Sequence, residues 1–221
     1  MKMDDLEEKL QKELSQSFYG SPNPVKVFNF HRSLLEDFKH KDCAYRYLEY
    51  FLRDIPGNLG IYLRYHYLGK YFQSLGSNVA LWPGIRIKHP NKMNVGNNTQ
   101  LGYDSMYQAL AGIKIGDNTL IGPGVKIWTV SHLYSKKEEL IINQGYSCNS
   151  VEIGSDCWIA SNSFIKLGTV IPNGCVVAAH SVVSGSKFKP YSVIMGNPAK
   201  VIGDRDKLGL FSEPRREPKN V

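Results

Sequence analysis

Histidine is the first side chain to consider as a catalytic group in this sequence, because its ordinary pKa of about 6.5 leaves it able to accept a proton near neutral pH. The 221 residues include six histidines, which are His31, His40, His66, His89, His132 and His180. His132 differs from the others in its position, since it follows Ser131 directly before residues 134–150, the one long interruption of a regular repeat. A long segment that breaks a strict repeat is more often functional than neutral. We therefore predict that His132 acts as a general base.

Neither the spacing of the cysteines nor the net charge indicates another kind of catalytic centre. The four cysteines, Cys43, Cys148, Cys157 and Cys175, form no C-x-x-C pair and no zinc-ligand spacing, so no metal site is predicted. No serine or cysteine stands with a base in a recognisable triad, which argues against a covalent acyl-enzyme. The formal charge of +7 comes without a basic and aromatic motif typical of nucleic-acid binding. The charge instead favours an anionic small molecule or a negatively charged membrane surface as partner.

A bulky, mostly aliphatic residue recurs at every sixth position, with two-residue shifts of phase and the interruption at 134–150. These residues are Leu75, Leu81, Ile87, Val95, Leu101, Tyr107, Ile115, Ile121, Ile127, Leu133, Ile153, Ile159, Ile165, Ile171, Val177 and Val183. Six residues at roughly 3.3 Å each form one short strand and a corner, and three such sides close a coil. A hexapeptide period is typical of a parallel β-helix with the bulky residues inside. We predict an all-β core of this kind, in which Cys157 and Cys175, one coil apart, share an interior column.

The repeat divides the chain into three regions. Residues 75–203 form the predicted β-helix with a flap at 134–150, residues 204–221 form a loosely held tail, and residues 1–74 form an α-helical amino-terminal region. Two interpretations of the last region remain open. It covers the strand edge of the first coil, or its tyrosines, with Arg64 and Lys70 as surface cations, lie on a membrane or a lipid-linked sugar.

The cellular location follows from what the sequence lacks. No apolar stretch approaches the roughly 20 residues of a membrane span, and the first residues lack the pattern of a signal peptide. We expect a cytoplasmic protein, with peripheral contact to the inner membrane surface as an open alternative.

Two motifs resemble the signature of the hexapeptide-repeat acyltransferases. Residues 153–160 read I-G-S-D-C-W-I-A, and residues 195–202 read M-G-N-P-A-K-V-I. The resemblance covers about residues 75–203, and it is strongest to the sugar and polysaccharide O-acetyltransferases related to maltose and galactoside acetyltransferases. It implies a left-handed coil, acetyl-CoA as the acyl donor, and a homotrimer with active sites between subunits.

The resemblance also implies roles for individual residues. His132 takes the place of the family's catalytic histidine. Contacts to the pantetheine arm and the phosphates of CoA are implied for Ala160, Ser161, Ala179, Lys187 and Lys200. Contacts to the acceptor are implied for Asp104, Ser131 and Trp158. Asp104 departs from the family, whose sugar-acetylating members carry an asparagine there, and His180 stands where the family usually has glycine.

The implied function is transfer of an acetyl group from acetyl-CoA to a sugar hydroxyl, in a cell-surface polysaccharide or its precursor. An N-acyltransferase that acts on an amino sugar-nucleotide would use the same coil and the same histidine. A non-catalytic structural β-helix is the third alternative, but such a protein would not need the flap.

Overall fold

The hexapeptide repeat forms the three walls of a triangular β-helix in the computed structural model, which describes residues 30–185 and 187–207. In chain order the strands are β1 (Ser74–Leu75), β2 (Ala80–Leu81), β3 (Arg86–Lys88), β4 (Met93–Val95), β5 (Gln100–Leu101), β6 (Met106–Gln108), β7 (Ile113–Ile115), β8 (Leu120–Ile121), β9 (Lys126–Trp128), β10 (Val130–His132), β11 (Tyr146–Cys148), β12 (Val151–Ile153), β13 (Trp158–Ile159), β14 (Phe164–Ile165), β15 (Val170–Ile171), β16 (Val176–Val177), β17 (Val182–Val183), β18 (Ser192–Gly196) and β19 (Ala199–Asp204).

The strands of each wall pair in parallel. Face 1 consists of β1, β4, β7, β12 and β15, face 2 of β2, β5, β8, β13, β16 and β18, and face 3 of β3, β6, β9, β14 and β17. Successive strands within a face come from successive coils. β19 pairs antiparallel with β18 and covers the carboxyl-terminal end of face 2. The predicted parallel β-helix is confirmed.

The bulky residues of the blocks, apart from Leu133, point into the prism. On face 2, the side chains of Leu81, Leu101, Ile121, Ile159 and Val177 lie in register one above another, and all are buried. Each buried aliphatic side chain stabilises the fold by roughly 1.5–3 kcal/mol relative to exposure. The spacing of six in the sequence therefore produces one continuous apolar core.

Small polar residues close the corners between faces. Thr99 is fully buried, and its Oγ1 donates a hydrogen bond to the carbonyl of Gly116 in the next coil at 2.9 Å. The preceding residue, Asn98, and its equivalent one coil later, Asn118, both have φ of 55°. Asparagine tolerates this left-handed conformation better than most residues do. These demands explain why the fourth position of most blocks is asparagine, aspartate or glycine and the fifth is mostly small or β-branched.

The flap leaves the prism earlier than the repeat predicts. The prediction that Leu133 is an interior residue is wrong, since its side chain is 42% exposed. The chain turns away from face 3 after β9, and β10 then pairs antiparallel with β11 to form a hairpin. A 3-10 turn at Ile141–Asn143 lies in the connecting loop, and β12 returns the chain to face 1.

Helical structure precedes the prism. The helices are α1 (Phe30–Lys39), α2 (Cys43–Leu52) and α3 (Gly57–Leu63), and α3 continues into a π-helical turn (Arg64–Leu68) and a 3-10 turn (Gly69–Tyr71). A further 3-10 turn, Pro90–Lys92, lies between β3 and β4. The rest of the predicted amino-terminal region, residues 1–29, and residues 208–221 of the predicted tail lie outside the described residues.

Arg64 lies inside the junction between the helices and the first coil. Its side chain is fully buried, and Nε donates to the carbonyl of Leu81 at 2.7 Å. Nη1 donates to the carbonyls of Leu52 and Ile55, each at 2.8 Å, and of Arg53 at 3.2 Å. Burial lowers the pKa of the Arg64 guanidinium, and the hydrogen bonds offset part of the cost of burying its charge. The prediction that Arg64 is a surface cation is therefore wrong.

Other helical side chains pair with the open edge of the first coil. The N–H of Ile87, on β3, donates to Glu49 Oε1 at 2.6 Å, and the hydroxyl of Tyr65 donates to the carbonyl of Gly76 at 3.1 Å. With the bond from Arg64 to face 2, these contacts satisfy edge groups on different sides of the prism. An unpaired strand edge invites aggregation, so the contacts favour the interpretation of this region as a cap.

Candidate active site

His132 lies at the end of β10, where the chain has just left the prism. Its side chain is exposed, and its ring contacts the ring of Tyr146 with centroids 4.4 Å apart and planes inclined by 40°. The two residues are partners in the antiparallel register of β10 and β11. The imidazole is thus open to solvent on one side and supported by an aromatic ring on the other.

The side-chain amide of Gln144 holds together the loop that follows His132. Gln144 is buried, and its Oε1 accepts from the N–H of Lys136 at 3.0 Å. Its Nε2 donates to the carbonyls of Lys136 at 2.8 Å and of Glu139 at 2.7 Å. These bonds order the part of the loop that lies next to His132.

Thr129 sets the point at which the hairpin departs from the prism. Its Oγ1 donates to the carbonyl of Gln108 at 2.7 Å and accepts from the N–H of Ala111 at 3.0 Å, both in the preceding coil. Its own carbonyl accepts from the N–H of Asn149 at 3.0 Å. Both arms of the hairpin are therefore tied to the prism, which determines where His132 is presented.

Tyr146 is a residue of this site that the sequence analysis misses. Together with Val130 and Cys148, it packs against Leu110, which is fully buried. This packing restrains the ring that contacts His132. The short strand-forming segment at the far end of the flap is the feature of the sequence that points to Tyr146. The sequence alone does not show how that segment pairs with the strand before the flap, so the contact with His132 could not be predicted.

A second group of predicted site residues lies at corner 2–3, which joins faces 2 and 3 and includes residues 102–105, 122–125, 160–163 and 178–181. Asp104 belongs to this corner and has φ of 53°. Its carboxylate lies over Gly84 of the preceding coil so closely that a Cβ at Gly84 would collide with it.

Corner 2–3 carries several small side chains in the later coils. Ala160 is buried, Ser161 is half-buried and Ala179 is exposed. A Cβ on Gly122 would lie 2.9 Å from the carbonyl oxygen of Ile159, so neighbouring coils approach closely here. These three residues therefore place little side-chain bulk over closely spaced backbone at this corner.

Trp158 lies on face 2 directly before this corner. Its side chain is 47% exposed, and it is in register with Leu120 and Val176 of the adjacent coils. An indole ring exposed in this way offers a flat apolar surface beside corner 2–3.

The two predicted phosphate-binding lysines are exposed at the carboxyl-terminal end of the prism. Lys187 lies in the loop between β17 and β18, and Lys200 lies on β19 opposite Met195. Both lie beyond the last coil, on the same end as Ala179.

Within one chain, the structure does not bring His132 and Ser131 together with the predicted site residues at corner 2–3. His132 and Ser131 leave from corner 3–1, between faces 3 and 1, whereas Asp104 and Ala160 lie at corner 2–3. A side of six residues at roughly 3.3 Å each separates neighbouring corners by up to about 20 Å. Ser131 is exposed, and because adjacent strand residues point to opposite faces, its side chain projects away from that of His132.

The buried cysteines are poor nucleophiles. Cys157 and Cys175 are buried in adjacent coils of one corner, as predicted. Burial raises the pKa of the Cys157 thiol to about 11 and raises that of Cys175 above its ordinary value. Since the thiolate is the reactive form, neither group is suited to carry an acyl chain.

The described part of the chain has neither a metal-binding cluster nor a membrane-spanning helix. Residues 30–185 and 187–207 contain no group of three or more side chains placed to hold a metal ion. None of the helices in these residues is long and apolar enough to cross a lipid bilayer.

Comparison with known proteins finds hexapeptide-repeat enzymes. The family model for the hexapeptide repeat of succinyl-transferase matches residues 93–127 and 150–184. The chain is 33% identical over 132 residues to the putative colanic acid biosynthesis acetyltransferase WcaF of Escherichia coli. This alignment covers 59% of the chain and 69% of the relative.

Solved structures agree with this match. A maltose O-acetyltransferase from Clostridium difficile superimposes with a TM-score of 0.66 at 26% identity, over 76% of this chain and 87% of that one. An acetyltransferase of Vibrio cholerae complexed with acetyl coenzyme A shares the fold, with a TM-score of 0.65 at 24% identity over 83% and 93% of the two chains. With a third of the aligned residues identical to WcaF across more than two thirds of that protein, the chain belongs to the hexapeptide-repeat acetyltransferase family.

Proposed function

We propose that this acetyltransferase transfers an acetyl group from acetyl-CoA to a hydroxyl of a sugar, in a cell-surface polysaccharide or its precursor. The observation that carries the proposal is the exposed imidazole of His132, supported by Tyr146 on a hairpin whose loop is closed. The names of the colanic acid and maltose relatives favour a sugar acceptor. A neighbour of the same fold complexed with acetyl coenzyme A makes this thioester the donor to test.

The proposed mechanism is direct transfer with His132 as general base. His132 accepts the proton of the acceptor hydroxyl while the hydroxyl oxygen attacks the carbonyl carbon of the thioester. A backbone N–H near the site stabilises the tetrahedral oxyanion. The carbon–sulfur bond then breaks, and the CoA thiolate takes the proton from the imidazolium, which leaves an acetyl ester and free CoA. No acyl-enzyme is required, and the raised pKa values of Cys157 and Cys175 disfavour one.

We place the acetyl-CoA donor along corner 2–3 as part of this proposal, and we call that surface the donor groove. Ala160, Ser161 and Ala179 are too small to cover the backbone there, so the pantetheine arm can lie against it. The exposed amines of Lys187 and Lys200 are available to the phosphates of CoA at the carboxyl-terminal end. The ring of Trp158 and the carboxylate of Asp104 lie on the same side of the prism and would contact the acceptor.

This arrangement needs two copies of the chain for each site. His132 and Ser131 lie at corner 3–1, whereas the donor groove lies at corner 2–3, a full side away. A homotrimer in which corner 3–1 of one subunit meets corner 2–3 of its neighbour brings the two groups together, and rotational symmetry gives three equivalent sites.

Mixing two inactive variants tests the shared site. His132→Ala removes the base, and Ala179→Trp blocks the donor groove with a side chain at an exposed position. Each variant alone is expected to be nearly inactive. In trimers reassembled from equal amounts of both, about one quarter of the sites pair an intact His132 with an intact groove, so about one quarter of wild-type activity should return.

The control is the same mixture without reassembly, which should stay inactive. Sedimentation must show that both variants form the wild-type assembly. An active monomer, or reassembled mixtures that stay inactive, would contradict a site shared between subunits.

Tyr146→Leu tests whether the ring positions the imidazole. The rings of Tyr146 and His132 are in contact, and such pairs contribute about 0.5–1.5 kcal/mol. We expect kcat to fall by roughly three- to ten-fold with little change in KM for acetyl-CoA. Tyr146→Phe retains the ring and should keep kcat within about two-fold. If the phenylalanine variant lost as much as the leucine variant, the hydroxyl rather than the ring would be the important group.

The function itself is tested by an acceptor panel. Purified protein is incubated with acetyl-CoA and a series of monosaccharides, oligosaccharides and amino sugar-nucleotides, and CoA release is followed alongside mass analysis of the products. Acetyl esters of a sugar support the proposal. Products acetylated on nitrogen alone would establish the N-acyltransferase alternative.

A further inference from the structure

Residues 57–71, which we call the basal helix, present an aromatic face away from the prism. Gly60, Arg64 and Leu68 occur four residues apart and are buried, and Arg64 bonds to the first coil while Leu68 packs in the core. The exposed side consists of Leu59, Tyr62, His66, Tyr67, Lys70 and Tyr71. Spacings of three and four residues place neighbouring members of this set on one side of a helix, so they form a continuous stripe.

Several side chains of this stripe pack on one another, and the ring of Tyr71 also contacts that of Tyr45 on α2 with centroids 5.1 Å apart. The ring of Tyr62 contacts that of His66 with centroids 4.2 Å apart, and Lys70 Nζ lies 5.3 Å from the centre of the Tyr67 ring. Leu59 nevertheless remains 64% exposed and Tyr62 58% exposed. Contiguous exposed apolar surface of this kind marks an interaction site.

Lysine and arginine outnumber acidic residues in the sequence around the stripe. Between Asp54 and Asp104 the sequence contains no aspartate or glutamate but contains five lysines and arginines. Arg64 is buried in the cap, and the other four are Lys70, Arg86, Lys88 and Lys92. The carboxylate of Glu49 lies near Arg86 and Lys88 and offsets part of their charge. Residues 55–103 therefore carry a net positive charge.

We propose that the basal helix lies flat on an anionic lipid surface, with Leu59, Tyr62 and Tyr67 among the headgroups and Lys70 and Arg86 at the level of the lipid phosphates. Tyrosine is enriched at the membrane–water interface, because its ring is apolar and its hydroxyl is polar. Fifteen helical residues extend about 22 Å, which suits a helix lying in the interface. The lipid contact does not depend on the chemistry at His132.

Vesicle flotation of the full-length protein tests this inference. The vesicles consist of phosphatidylcholine alone or of phosphatidylcholine mixed with phosphatidylglycerol. The protein is expected to bind the mixed vesicles at low salt and to be released as salt rises. The double variant Lys70→Gln/Arg86→Gln should bind about ten-fold more weakly or worse, since each cation near such a surface contributes about 1 kcal/mol.

A matched control changes the same number of cations elsewhere. Lys114 on face 1 and Lys126 on face 3 are exposed on later coils, and Lys114→Gln/Lys126→Gln should reduce vesicle binding by less than about three-fold. Leu59→Ser/Tyr62→Ser removes apolar contact without changing charge and should also weaken binding by about ten-fold or more. Thermal unfolding verifies that every variant is folded.

Three results would overturn the proposal: no binding to anionic vesicles, equal binding to both kinds of vesicle, or equal losses in the basal and control pairs. If binding is absent, cross-linking of a cysteine introduced at Tyr62 shows whether a second copy or residues 1–29 cover the stripe.

Discussion

Replacing His132 by alanine is expected to lower turnover by about 10²–10⁴-fold, the usual contribution of a general base. The fold should persist, because the imidazole is exposed and the hairpin is held by Gln144 and Thr129. Affinity for acetyl-CoA should also persist, because the proposed donor groove lies at another corner of the prism. Steady-state release of CoA measures the first effect, and calorimetric titration with acetyl-CoA measures the second.

His180 provides the matched control, since it is a competing base at corner 2–3. It has φ of 58°, a conformation that asparagine adopts readily, so His180→Asn should fold normally. We expect this variant to lose less than about ten-fold in turnover, because the lost side chain only borders the donor groove. An effect as large as that of His132→Ala, or near-normal turnover by His132→Ala, would mean that the base is assigned to the wrong residue.

Replacing Arg64 by methionine is expected to destabilise the protein by about 3–4 kcal/mol. Methionine fills a similar volume but cannot donate a hydrogen bond. The carbonyls of Leu52, Ile55 and Leu81, which receive bonds of 2.7–2.8 Å, lose their charged donor. The cost is expected to appear as a fall of about 10 °C in the unfolding midpoint.

Lys70→Met is the control for this measurement, because it removes an exposed cation from the same helical segment. Surface substitutions usually change stability by less than about 0.5 kcal/mol, so its midpoint should move by no more than about 2 °C. All samples are compared at one protein concentration, because assembly shifts apparent stability. Similar midpoints for both variants would show that Arg64 does not hold the helices to the prism.

The prism could be predicted because the residue pattern that specifies it is local and is repeated in every coil. Leu101 and Ile121 are both interior because each occupies the first position of its block, whatever lies elsewhere in the chain. The same rule failed at Leu133. Where the chain leaves the wall depends on the hydrogen bonds that Thr129 makes with the preceding coil, and no repeat encodes those bonds.

The candidate site was predictable in part. His132 could be selected because it directly precedes the interruption of the repeat, and it does lie at the start of the projecting hairpin. Tyr146 could not be selected, because it meets His132 only through the register of two strands joined by a long loop. The roles of Asp104, Trp158 and the donor-binding residues remain predictions, and Ala179→Trp tests one of the donor-binding residues.

By itself, the sequence determined the β-helix, its interior columns and the position of His132 beside the flap, because a period of six imposes the same local solution on each coil. The tertiary structure alone decided which side of residues 57–71 faces the prism. That segment carries aromatic and basic residues on more than one side, so its pattern is compatible with either orientation. Contact with the first coil selects the one that buries Arg64 among backbone carbonyls and exposes Tyr62, because an arginine can be buried only where enough acceptors converge on it.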